Sequence, residues 1–471
     1  MTTTDFCASL NPVTGEELER FAYHEPEDLE RLLSVARRGY AEWRLASIDN
    51  RTAALSRLAA ILRQRSQSLA RTITLEMGKP IREARAEVEK CAVLCDWYAA
   101  NAAELLADEA VDLGSSASGY ISHLPIGTVL AVMPWNFPLW QVMRAAVPIL
   151  AVGNGILLKH ADNVQGSARG LADAFRAADF PDGVFAVANA RRRDIPSIIA
   201  DDRIAAVTVT AGVGAGAAIA AEAGRNLKKS VLELGGVDPF IILADADLGK
   251  AVPAAIKARF QNCGQVCIAA KRFIVEEPLV KAFTERFAAA AAALKVGDPL
   301  AEDTDIGPMA RRRLRAELHT QVRASIDAGA RLLLGGDPAD GPGAFYPPTV
   351  LGAVTPEMAT FDEETFGPAA SITTARDADE AIRLANLSRY GLSSALWTDD
   401  TANARALARR LETGGVFING VSASDPRIPI GGVKNSGYGR ELSYFGLREF
   451  SNAQIVWQSH ESLGVTAKTA G

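Results

Sequence analysis

The 471-residue chain has only five cysteines and five histidines, no excess of basic charge, and no long unbroken apolar run. Each shortage excludes something. An odd and small set of cysteines (Cys7, Cys91, Cys95, Cys263 and Cys267) is a poor basis for a disulfide framework. A net charge of −6 provides no positive field for a nucleic-acid backbone. The most apolar stretch, AAVPILAVGNGILL, is interrupted by Pro148, Gly153, Asn154 and Gly155 and is too short to span a bilayer. The N-terminus, MTTTDFCASLNPVTGEEL, lacks the basic-then-apolar pattern of a secretory leader. The expectation is a cytoplasmic protein with neither nucleic acid nor membrane as partner.

What is present argues for an ordered globular chain. Hydrophobic residues make up 48% and charged residues 23%, over a length that calls for two or three domains. Residues 25–107 place apolar side chains three and four apart, as in EDLERLLSVARRGYAEW and RTAALSRLAAILRQRSQSLA, which predicts helices. Cys91 and Cys95 fall on one face of that region and read as packing. No nearby His or Cys completes a tetrahedral metal site around them.

After Gly114 the texture changes. GYISHLPIGTVLAVMP reads as two extended pieces divided at residues 125–127. Strand-like and helix-like segments then alternate through AAVTVT, VLELGG and DPFIILA, and again over about residues 261–419. Alternation of this kind predicts an α/β fold, with mostly parallel sheets covered on both faces and a cleft between two such bodies. The tail, FGLREFSNAQIVWQS, reads as extended.

TAGVGAGAAIAAEAG, residues 210–224, follows a strand, opens a helix, and satisfies the loose G-x-G-x-x-A dinucleotide pattern from Gly212 through Gly216. The pattern is weak in so alanine-rich a segment, and it comes after two earlier strand–helix units. Glu233, an acid at about the right distance for a ribose, stands instead at the end of a strand before Gly235 and Gly236. Strand carboxyl ends are where α/β proteins place chemistry. The turn is therefore kept as a cofactor neighbour, through its helix N-terminus, and Glu233 is not assigned to a ribose. FQNCGQVCIAA holds Cys263 and Cys267; residue types alone leave packing, metal binding and nucleophilic catalysis open.

PWNFP (134–138), LELGG (232–236), NCGQVC (262–267), EETFGP (363–368) and GGVKNSGYGRE (431–441) occur in that order. Together they resemble the aldehyde dehydrogenase superfamily over essentially the whole chain. MPWNFPLWQVMR, LGGVDPFIILADADL and SGYGRELSYFGLREF are similar to the bacterial NAD-linked succinate-semialdehyde dehydrogenases. The resemblance implies two α/β domains with Rossmann-like sheets: residues 1–113 with 128–234 binding NAD, and 235–445 catalytic. A small β element, 114–127 with 446–471, is implied to join subunits into a homodimer or homotetramer.

The implied chemistry is oxidation of an aldehyde to an acid through a thiohemiacetal and a thioester, because a bare carbonyl hydrogen does not leave as hydride. The resemblance makes Cys267 the nucleophile and leaves Cys263 to packing, with no metal. Asn136, with the Cys267 backbone N–H, is implied to hold the oxyanion. Glu233 is implied to activate the hydrolytic water. Trp135, Lys159, Asp162, Gly212, Gly216, Glu364 and Phe366 are implied to bind the cofactor. An acid such as Asp162 beside the adenosine 2′-hydroxyl favours NAD, with NADP as the other candidate.

The sequence departs from the commonest family pattern at His160, Asp162, Ala211 and Ile430. Arg144 follows Asn136 by about two helical turns, toward one cavity. In the resembled enzymes an arginine at this place pairs with the distal carboxylate of succinate semialdehyde. Gln261 stands where some of those enzymes carry a second arginine, so either Arg144 suffices or Arg427 assists it, with Ser422 and Ser424 as further hydrogen-bonding candidates. A broader dehydrogenase of uncharged or amino aldehydes is the alternative.

Overall fold

A computed structural model of the protein describes residues 5–114 and 117–460. Helices Pro26–Trp43, Ile48–Gln64, Ser66–Met77 and Ile81–Leu105 fill the N-terminal region where apolar periodicity predicts them. Their ends follow from local chemistry. The Ser47 hydroxyl accepts from the Asn50 N–H to cap the second helix, and Gly78, at φ 81°, closes the third in the left-handed region. Cys91 and Cys95 lie on the buried face of Ile81–Leu105 with Val88, Ala92 and Tyr98.

A six-stranded sheet runs in the order Gly437–Tyr438, Lys229–Glu233, Ile204–Thr210, Thr128–Met133, Gly155–His160, Phe185–Val187. All neighbours are parallel except the first pair. Chain order reverses beside Thr128–Met133, which pairs with Gly155–His160 on one side and Ile204–Thr210 on the other. In open α/β sheets a crevice opens beyond the carboxyl ends at such a point. The helix that leaves it, Trp140–Val152, is buried at every residue, Arg144 included.

A seven-stranded sheet follows: Arg331–Leu334, Thr349–Gly352, Ala369–Ala375, Ala270–Glu276, Asp238–Ile242, Ser394–Trp397, Val416–Ile418. Only the Arg331–Leu334 edge is antiparallel. Phe240, Phe273, Phe283 and Phe287 pack ring on ring beneath it. A third, antiparallel sheet joins Ser451–Ser459, Ala117–Pro125 and Glu109–Val111. Residues 115–116 and 461–471 of the element expected to join subunits lie outside the described residues.

The tail departs from the extended reading. Ser443–Glu449 is a helix that buries Ser443, Gly446 and Leu447, and Tyr98 donates to the Ser443 carbonyl; only Ser451–Ser459 is a strand. Seven residues are too few to show periodicity against a following strand, and packing makes the helix. Among the described residues no helix is long and apolar enough to cross a membrane.

Candidate active site

Cys267 stands at the meeting of two cavities. The first, about 360 Å³, is lined by Trp135, Asn136, Gly212, Cys267, Glu364 and Phe366 among others. The second, about 250 Å³, has Cys267, Arg144, Trp140, Lys90 and Ser424 on its wall. Gln141 and Cys267 belong to both. The sulfur is thus reached from two sides, by loops of the six-stranded sheet and by the turn that precedes strand Ala270–Glu276.

That turn is unusual backbone. Asn262, Cys263 and Gly264 all have positive φ (53°, 54° and 71°), a conformation that costs free energy for residues with a Cβ. It is held from several directions. The Asn262 N–H donates to Glu83 Oε2 at 2.8 Å, and Asn262 Nδ2 to the Asn136 carbonyl at 2.8 Å. A Cβ at Gly264 would stand 2.3 Å from the Gly367 carbonyl oxygen, so only glycine fits there. Lys271 donates to the carbonyls of Val266 and Cys267 at 2.8 and 2.6 Å, and faces Glu364 at 3.5 Å. Cys263 is buried core, as expected, and only Cys267 is half-exposed.

Burial pushes the Cys267 thiol up to about 11, against the pull of Arg144 and Lys271 and with Glu233 and Glu364 adding to the rise. The Asn136 amide donates one N–H to the Gln265 carbonyl at 3.0 Å, which leaves its second N–H. Its loop is fixed by His160. Burial lowers this imidazole to about 4, so it is neutral at pH 7 and carries one N–H. Its two nitrogens face the carbonyls of Met133 (Nδ1, 3.2 Å) and Pro138 (Nε2, 2.9 Å), so the ring ties the end of strand Thr128–Met133 to this loop whichever nitrogen carries the proton. Glu87 secures the other end, its Oε1 accepting from the N–H groups of Leu139 and Trp140 at the start of helix Trp140–Val152.

Glu233 ends its strand as expected, but it lies behind the cavity walls, where Leu234 and Gly235 are the lining residues. It is 2% exposed, and its Oε1 has no partner. Burial raises its carboxyl to about 7; Arg144, 3.5 Å away, opposes the rise and Glu441 adds to it. Arg144 Nε is ion-paired with Glu441, which also accepts from the Thr208 hydroxyl at 3.3 Å. Arg144 lines the second cavity but Asn136 only the first, because Asn136 lies in the loop before helix Trp140–Val152 and the shared helical face expected from their spacing does not form. The Arg144 charge is already met by two buried carboxylates.

The other expected residues divide. Trp135 and Phe366 form an edge-to-face pair at 5.7 Å on the first cavity, and Glu364 accepts from the Gly236 N–H there. Gly212 is on the wall with open space around its α-carbon. Gly216 is not brought to the wall. A Cβ on it would meet the Leu234 side chain at 2.4 Å, so this glycine serves helix–strand packing. Lys159 and Asp162 lie at the end of the neighbouring strand and pair with each other at 2.8 Å, Asp162 also accepting from the Tyr23 hydroxyl. Ser424 is on the second cavity, and Ser422 with it. Arg427 is not: its exposed guanidinium grips Asp425 through two bonds of 2.7 Å, and that local partner, two residues away, holds it in solvent.

Sequence reasoning missed Lys90, Lys271, Glu441 and the clamping role of His160. Glu441 closes the motif GGVKNSGYGRE, and His160 departs from the commonest family pattern. Lys90 carries no local signal, being one of three basic residues on helix Ile81–Leu105 with nothing in the spacing to set it apart.

The model of the Aldehyde dehydrogenase family matches residues 2–456. The chain is 56% identical over 458 residues to the succinate semialdehyde dehydrogenase (NAD(P)+) Sad of Escherichia coli (strain K12), covering 97% of this chain and 99% of that one. It is 46% identical to the succinate-semialdehyde dehydrogenase (NADP(+)) of Mycolicibacterium paratuberculosis, covering 96% of each chain. Among solved structures, the succinic semialdehyde dehydrogenase of Streptococcus pyogenes with NADP+ superposes with a TM-score of 0.93 at 36% identity. That match covers 96% of this chain and 99% of that one.

Proposed function

The chain belongs to the aldehyde dehydrogenase family, and from that premise we propose that it oxidises succinate semialdehyde, or a close ω-carboxy aldehyde, with NAD or NADP. The observation that carries the reading is the place of Cys267, shared by a cavity with flat aromatic walls and a cavity with cationic ones. The first suits a nicotinamide dinucleotide. Trp135 and Phe366 offer ring faces and edges, and Gln141 Oε1 and Thr210 Oγ1 are buried there without partners. A bound nicotinamide supplies the hydride acceptor. Either dinucleotide fits this reading, because Lys159 offsets the Asp162 charge that would repel a 2′-phosphate.

In this reading the Cys267 thiolate adds to the aldehyde carbon, and the free N–H of Asn136 with the Cys267 N–H holds the oxygen as it becomes negative. The thioester left on sulfur is cleaved by water, with Glu233 taking the proton after its side chain turns past Leu234 and Gly235 into the cavity. A carboxyl near 7 is half-ionised at neutral pH and fits that task. An amino aldehyde would bring a cation toward Lys90 and Lys257, which disfavours that alternative. Exposed Tyr120, Leu124, Ile455 and Trp457 on the three-stranded sheet support assembly as a homo-oligomer. Residues 128–234 with the N-terminal helices would bind the dinucleotide and 235–445 supply the nucleophile.

The test is a panel of succinate semialdehyde, butanal and 4-aminobutanal with each dinucleotide, followed at the reduced-nicotinamide absorbance. Equal kcat/KM for the three aldehydes would refute the substrate assignment, and no absorbance change with any would refute the reaction.

A further inference from the structure

Two cations on the second cavity have no carboxylate partner among the described residues, exposed Lys257 and half-buried Lys90, and only Lys90 is drawn out of solvent. Arg144 is matched by Glu441 and Glu233, and Glu87 is taken by Lys79 and by two backbone N–H groups. Glu83 is engaged by the Asn262 N–H, and burial raises its carboxyl to about 7. Lys90 has no carboxylate partner among the described residues. Its Nζ donates to the neutral Ser424 hydroxyl at 2.7 Å and sits 4.1 Å over the Trp140 ring. Burial lowers this amine to about 8, with Arg144 adding to the fall, so it is still mostly charged at pH 7. A half-buried ammonium facing a cavity without a counter-ion is unfavourable unless an anion arrives there.

We propose that Lys90 is the anchor for the distal carboxylate of the substrate. The ammonium, oriented by Ser424 and the Trp140 face, meets a carboxylate within the cavity that Cys267 also lines, while Arg144 keeps its two glutamates. The cavity spans both residues and has a volume of about 250 Å³, room for a four- or five-carbon chain with its aldehyde at the sulfur. Ser424 thus acts through Lys90, holding one of its three N–H donors and leaving the others for the anion.

The inference rests on the proposed substrate class, so the experiment separates the two. Wild type, K90M and K90R are compared on succinate semialdehyde and butanal. Succinate binding to the enzyme with dinucleotide is measured by calorimetry, and thermal melting checks each fold. A lost charge-assisted pair predicts that K90M lowers the ratio of kcat/KM for succinate semialdehyde over butanal by roughly 10- to 100-fold. The loss would lie mainly in KM, succinate affinity would fall in parallel, and K90R would recover part of both. A purely structural role would lower both substrates together and keep the ratio. A wild type that prefers succinate semialdehyde and a K90M that keeps that preference and its succinate affinity would overturn the Lys90 assignment alone. A wild type with no preference would overturn the substrate class and this inference with it. Should K90M fail to fold, K90Q makes the same comparison with a polar side chain.

Discussion

Replacing Arg144 with methionine separates two roles that one residue is asked to fill. In the structure its guanidinium lies between Glu441 and Glu233, 3.5 Å from the latter, and it is the strongest influence keeping the Glu233 carboxyl from rising further above about 7. An opposite charge at such range lowers a carboxyl by roughly 1–3 units. Without it, ionised Glu233 at pH 7 falls from about one half to roughly a tenth for a one-unit rise, or a hundredth for two. Hydrolysis at pH 7 should then slow by roughly 5- to 50-fold and recover as pH is raised.

Butanal is the substrate for this assay, since it has no carboxylate to bind. A pre-steady-state burst of reduced dinucleotide reports the thiol step, and the steady rate that follows reports hydrolysis. The acid limb of the steady rate should move to higher pH in R144M and to lower pH in E441Q, which removes the like charge. Breaking a buried ion pair also costs about 3–5 kcal/mol, so melting is followed in parallel. A folded R144M whose acid limb stays where the wild-type limb lies would refute this electrostatic account of Glu233.

Three further outcomes follow from the same geometry. The folded Glu233 carboxyl lies above its usual 4.5, so its ionisation opposes folding, with no cost below about 4.5 and the full cost above about 7; E233Q should therefore melt higher than wild type at pH 8 and not at pH 4.5, while losing hydrolysis. With its thiol near 11, Cys267 of the protein alone should react with iodoacetamide slowly at pH 7 and about tenfold faster per pH unit up to pH 9, by peptide mass spectrometry. Prior labelling of buried Cys263, Cys91 or Cys95 would contradict the burial assigned to them. G212A has open space and should leave melting unchanged, whereas G216A must displace Leu234 at 2.4 Å and should lower it. The reverse order would contradict the packing role given to Gly216.

Much of the architecture was legible because it is written in short range. Apolar spacing marks helices Pro26–Trp43 to Ile81–Leu105, and alternation marks the two sheets. The tail misled because Ser443–Glu449 is helical only through its contacts. The loose glycine pattern misled in part because glycine is used for close packing as readily as for phosphate: Gly212 reaches the cavity, and Gly216 meets Leu234.

Arg427 looked like a second cation for the substrate until its bond to Asp425 turned it to solvent. The motif strings nominated Cys267, Asn136 and Glu233 from residue type and order, which survive without coordinates. Whether a charge is free or already matched does not. Arg144 meets Glu441 from near the other end of the chain, and Lys90 meets a neutral serine on a distant loop. Pairing energy depends on separation and on the water excluded between groups, and both exist only once the chain has closed around them.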